Sequence, residues 1–127
     1  MYSQKGWRIA FVVGTVVVVA LSLTPAEYLP TAPVWDKLVH FLVYAVLALC
    51  GCRGFQGARL TLGVSIALVV IGGGLEVVQA EVVPGRSGDL FDACANLAGV
   101  ALGVVVAGYL RGRRKVRIDG AQSSRSG

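Results

Sequence analysis

Four long stretches of the chain are nearly unbroken in apolar content. They run from about Trp7 to Leu23, Val34 to Cys52, Leu60 to Gln79 and Asp89 to Leu110. Crossing the hydrocarbon core takes about 20 mostly apolar residues, within a range of about 17–25. Each stretch therefore predicts a spanning helix, and the first two sit near the short limit, which suits a thin or tilted arrangement. The run Val16-Val17-Val18-Val19 would favour a strand in water. In lipid, however, every backbone amide must be bonded inside its own helix or a closed barrel. Barrel strands alternate apolar and polar residues, and these stretches do not. The pattern predicts an all-α membrane protein built as a four-helix bundle, with Pro84-Gly85 forming a tight hairpin between the last two helices.

Composition narrows the class. Of 127 residues, 55% are hydrophobic and 15% charged, against about 45–50% and 25% in soluble domains. So few charges could not cover a water-facing surface. An ordinary soluble globule, a disordered tail and a disulfide-stapled secreted domain are excluded. The length allows one domain, residues 1–110, followed by a basic tail, 111–127, expected to be disordered. Lys5 and Arg8 ahead of the first stretch also fit a signal peptide, but Pro25 and Glu27 follow it in place of a small-residue cleavage site. A retained helix is expected.

Lys and Arg number 12 against 7 Asp and Glu, a net charge of +5. Arg111, Arg113, Arg114, Lys115, Arg117 and Arg125 crowd the tail, opposed only by Asp119. Directly after an apolar helix, such a cluster reads as an anchor at an anionic leaflet and not as a nucleic-acid site. Lys5 and Arg8 precede the first helix, Arg53 and Arg59 lie between the second and third, and the first loop has neither Lys nor Arg. Positive residues favour the cytoplasmic side, so both termini are expected in the cytoplasm.

This topology gathers the remaining polar residues at the opposite end. Asp36, Lys37 and His40 open the second helix, Glu76 and Gln79 close the third, Arg86 lies in the hairpin, and Asp89, Asp92 and Asn96 open the fourth. Asp36, His40 and Tyr44 recur at four residues and so share a stripe. Glu76 and Gln79 share a face, as do Asp89, Asp92, Asn96, Gly99 and Gly103. Ionisable groups at membrane depth are costly unless they face the bundle interior or a wet cavity, so the three stripes are expected to face one another. Arg86 is expected as the counter-charge, because a guanidinium can bridge carboxylates or grip phosphate. Gly72 to Gly74, and Gly99, Gly103 and Ala107, are expected to serve close helix packing.

The residues Asp36-Lys37-x-x-His40-Phe41-x-x-Tyr44, Gly72-x-x-x-Glu76-x-x-Gln79 and Pro84-x-Arg86-x-x-Asp89-x-x-Asp92-x-x-x-Asn96-x-x-Gly99 resemble, in order, the motifs of VanZ-like membrane proteins. The resemblance covers about Asp36 to Gly103. It implies a small multi-pass protein of the bacterial cytoplasmic (inner) membrane, in the cell envelope. The family's namesake is associated with low-level teicoplanin resistance, a glycopeptide phenotype, but the family supplies no established reaction.

Three functional readings follow. In the first, Asp36, Lys37, His40, Tyr44, Glu76, Gln79, Arg86, Asp89, Asp92 and Asn96 line a pocket for a polar or anionic lipid headgroup or a lipid-linked envelope precursor. In the second, His40 with Asp36 or Glu76 is an acid–base pair acting on a lipid-linked ester or phosphate. In the third, the polar cluster only locks a structural subunit, which leaves room for a homo-oligomer or a membrane complex. The acids have the oxygen donors for a hard divalent cation, but they show no linear metal-loop spacing, so pairing with Lys37 and Arg86 is preferred and no metal or cofactor is expected. Cys50 and Cys52, near one end, and Cys94, toward the other, read as small apolar filler. Ser65 is remote from the cluster, and Ser87 reads as a loop cap before the fourth helix.

Overall fold

The computed structural model describes residues 3–28 and 33–123; residues 1–2, 29–32 and 124–127, the last including Arg125, lie outside it. The chain forms α1 (Gln4–Ser22), a 3-10 turn at Ala26–Tyr28, α2 (Pro33–Gly54), α3 (Ala58–Glu81) and α4 (Leu90–Ser123). All four helices are long and apolar enough to cross a membrane. Their starts and ends match the apolar stretches to within a few residues, with one exception. The tail was expected to be disordered from residue 111, yet α4 continues through Ser123. Arg and Lys are good helix formers, and extending an existing helix avoids the cost of nucleation. At about 1.5 Å per residue, α4 is about 50 Å long, well beyond the ~30 Å hydrocarbon core.

The helices run up and down in turn. Arg8 Nε of α1 donates to the Gly54 carbonyl at the end of α2 at 2.8 Å, and Arg53 lies over the Trp7 ring. Arg111 of α4 reaches Thr61 Oγ1 in the first turn of α3. Basic side chains thus mark one end of the bundle. At the other end, Val83-Pro84-Gly85-Arg86 makes a tight turn, closed by Arg86 N–H on the Val83 carbonyl at 3.2 Å. Gly85 takes φ 73° there. Proline at the second position and a positive-φ glycine at the third are what a type II turn requires.

The most extensive packing is between α2 and α4. Gly99 lies against the Phe41 carbonyl and Gly103 against the Ala45 carbonyl, with no room for a Cβ at either position. The two backbones are therefore in direct contact, as small residues four apart permit. Below them Leu47, Ala48, Cys52, Leu68 and Ala107 form the buried core. Cys50 is buried too, whereas Cys94 is exposed. On α3 a single stripe is buried, comprising Val64, Leu68, Gly72, Glu76 and Gln79. Gly73 and Gly74 face open space, so only Gly72 of that triplet serves packing within the bundle. α1 buries no residue completely. It leans on α2 through the Phe11–Phe55 edge-to-face pair, ring centroids 5.9 Å apart. Outward-facing Val16, Val70 and Val105 are each more than three-fifths exposed, a surface suited to lipid.

Candidate functional site

The site is built where the ends of three helices meet. The first two turns of α2 carry Asp36, Lys37 and His40, the last two turns of α3 carry Glu76 and Gln79, and α4 begins beside Asp89. Asp89 is the N-cap: its Oδ1 accepts from Phe91 N–H at 2.8 Å, satisfying one of the donors that a helix start leaves open. Ser87, expected in that role, is exposed two residues upstream. The position next to the first helical residue has the geometry to reach back to the second amide, and it is held by Asp.

Asp89 also ties α4 to both neighbours. Its Oδ2 lies 2.6 Å from Lys37 Nζ, and its own N–H donates to Glu76 Oε2 at 3.1 Å. Gly88 lets this approach happen, since a Cβ there would run into the Glu76 carbonyl. Lys37 Nζ also reaches Asp92 Oδ1 at 3.3 Å and lies over the Phe91 ring. The hydrogen bond from Lys37, and then that from Phe91 N–H, hold the Asp89 carboxyl below the usual carboxylate range.

His40 is the hub. Its Nδ1 is 3.0 Å from Asn96 Oδ1 and 3.6 Å from Glu76 Oε1. Its Nε2 is 3.7 Å from Asp36 Oδ1, one helical turn back. Glu76, Asp92 and Asn96 are each less than a tenth exposed, whereas the Asp36 side chain is about half exposed at 53%. Glu76 Oε1 is buried without a hydrogen-bond partner. Deeper in, Tyr44 is buried, and Gly72 makes the room for it: a Cβ at Gly72 would lie 3.1 Å from both the Tyr44 hydroxyl and Asn96 Nδ2. The cluster thus narrows from an open rim at Asp36 and Lys37 to a closed floor at Tyr44 and Asn96.

Two candidates turn elsewhere. Gln79 Nε2 donates to the Ser22 carbonyl at 3.1 Å, and Arg86 reaches the Leu21 carbonyl at 3.4 Å. No described carboxylate forms an ion pair with Arg86; the counter-charge expected of it is supplied by Lys37. The reason lies in α1, whose last turn has no basic residue. Its final carbonyls carry the negative end of the helix dipole, and the Leu21 carbonyl also accepts from Thr24 N–H at 3.2 Å. Gln79 and Arg86 add further donors from outside the helix. Ser22 and Leu21, the acceptors, went unnoticed in the sequence because they act through backbone oxygens. The usable signal was the absence of a basic last turn on α1.

Four carboxylates, Asp36, Glu76, Asp89 and Asp92, therefore surround one lysine and one histidine, so acidic side chains outnumber basic ones in the cluster. Protein-family models, curated proteins and solved structures offer no match to the chain. Fold and site together define a small multi-helix protein of membrane-protein type, with one ordered polar end and one basic end.

Proposed function

We propose that the protein is a VanZ-like membrane protein of the bacterial cytoplasmic membrane that binds the polar headgroup of a lipid or lipid-linked envelope precursor at its polar end, in the outer leaflet. Both termini are then cytoplasmic. The placement is supported by Arg8, Arg53, Arg59 and Arg111, which lie at or near the opposite end of the bundle. The observation that carries the reading is the gradient within the cluster. Its floor is buried and rigidly hydrogen-bonded, while Lys37 and Asp36 at the rim keep side-chain exposures of 44% and 53%. A purely structural lock would have no need of an accessible rim. Carboxylates accept from hydroxyl, amide or amine groups of a headgroup, and Lys37 at the rim, with Arg86 in the neighbouring hairpin, would turn from their present partners to its phosphate. Occupancy of this kind alters what glycopeptides meet at the membrane surface, which connects the reading to teicoplanin-type resistance.

The test is native mass spectrometry of the protein extracted with its lipids. Wild type is expected to retain a lipid that Lys37→Ala and Arg86→Ala release. Equal retention by both variants would overturn the reading. A second reading, acid–base catalysis on a lipid-linked ester or phosphate, is favoured by one observation: His40 lies between Asp36 and Glu76, at 3.7 and 3.6 Å. Turnover of labelled envelope lipids that disappears in His40→Gln would select it over binding alone.

A further inference from the structure

Hydrogen-bond polarity around His40 does not close. Asn96 presents its amide oxygen to Nδ1, so Nδ1 carries the proton and donates. In a neutral imidazole the other nitrogen, Nε2, is then a bare acceptor. What faces it, 3.7 Å away, is the Asp36 carboxylate, another acceptor. On the Nδ1 side, 3.6 Å away, Glu76 Oε1 is buried with no hydrogen-bond donor, and Glu76 as a whole is only 7% exposed. The nearest cation, Lys37, is engaged by Asp89 at 2.6 Å and Asp92 at 3.3 Å. Acceptors outnumber donors on both sides of the ring, and on the Nε2 side they border one small space.

We infer that this space is a binding site for a single divalent transition-metal ion, zinc above all, held by His40 Nε2 and the carboxylates of Asp36 and Asp92. One ligand atom from each of the three residues lies within 4.8 Å of the other two. Around a tetrahedral zinc with bonds of ~2 Å, neighbouring ligands are about 3.3 Å apart, so small side-chain rotations close the set. Asp36 and His40 are one turn apart on α2 and Asp92 comes from α4, across the contact that Gly99 and Gly103 bring together. The absence of a linear metal-loop spacing is therefore no argument against the site, because the ligands are assembled by packing two helices.

The far side of the ring supports the same assignment. Metal-bound histidines generally donate their other N–H to a carbonyl or carboxylate, which fixes the tautomer and makes the ligand more basic. Asn96 Oδ1 at 3.0 Å and Glu76 Oε1 at 3.6 Å are placed for that purpose. One imidazole among the ligands favours zinc over magnesium, calcium and manganese, which prefer oxygen. Three protein ligands leave a coordination position for water or another oxygen donor. The inference does not depend on any lipid being bound.

The test uses the full chain in detergent, stripped with a chelator and titrated with Zn2+ in parallel with Mg2+. Calorimetry is expected to give one Zn2+ per chain, a raised melting temperature, and binding at least tenfold weaker for Mg2+. Asp36→Asn is the decisive variant, because Asp36 is half exposed and its one ion pair among the described residues is with His40. Its metal-free melting temperature should match wild type while Zn2+ binding weakens at least tenfold. No saturable 1:1 binding by wild type would overturn the inference. So would undiminished binding by Asp36→Asn, which would place the zinc elsewhere, for instance on the Cys50 and Cys52 thiols. The lipid reading is judged separately by lipid retention and survives either result.

Discussion

Lys37 Nζ lies 2.6 Å from the Asp89 carboxylate, joining the first turn of α2 to the residue that caps α4. The same ammonium reaches Asp92, whose side chain is only 10% exposed. One flexible side chain thus bridges one carboxylate at the rim and another in the interior.

Replacing Lys37 by Met should destabilise the protein, because it leaves the buried Asp92 carboxylate without its ammonium partner. Asp89→Asn should cost less, because its pair with Lys37 is partly exposed and screened. Thermal melts in detergent give both values, and a larger loss for Asp89→Asn would contradict the ordering.

The Asp89 carboxyl is held below its ordinary value of about 3.9 chiefly by Lys37. A lowered folded-state value adds stability above the unfolded value and loses it as pH falls through the folded one. Wild type should therefore lose melting temperature below about pH 4, and Asp89→Asn should show a flatter acid limb. High salt should narrow the difference.

At Gly99 and Gly103 a Cβ would enter the α2 backbone. Gly99→Val and Gly103→Val should abolish the folded bundle, read as loss of a cooperative melt. Gly73 and Gly74 have nothing near a Cβ. Alanine at either should be neutral or stabilise by up to about 1 kcal/mol, the helix-interior difference between Gly and Ala.

Gln79→Ala should loosen α1 selectively. It removes a hydrogen bond to the Ser22 carbonyl, worth about 0.5–1.5 kcal/mol, from a helix that buries no residue completely. Hydrogen exchange should rise in the last turn of α1 while the α2–α4 core stays protected.

The four helices were legible because apolar content of spanning length leaves few alternatives in lipid. The stripes on α2, α3 and α4 were legible because Asp36, His40, Glu76, Asp92 and Asn96 fall at helical spacing and cannot cheaply face hydrocarbon. What could not be read was the choice of partner. Arg86 and Lys37 are both cations near four acids, and only the placement of the C-terminal carbonyls of α1 decides that Arg86 turns away. The Asp89 cap and the helical continuation beyond Arg111 were missed for similar reasons. One depends on which loop residue lands beside the first helical turn, the other on extension of a helix already nucleated.

His40 is the chain's single histidine, so its ring signals are unambiguous in solid-state NMR of the protein in bilayers. The convergence of the three polar stripes predicts through-space correlations from the His40 ring to the Asn96 side-chain amide and the Glu76 carboxylate. A ring correlated only with water or lipid would contradict it.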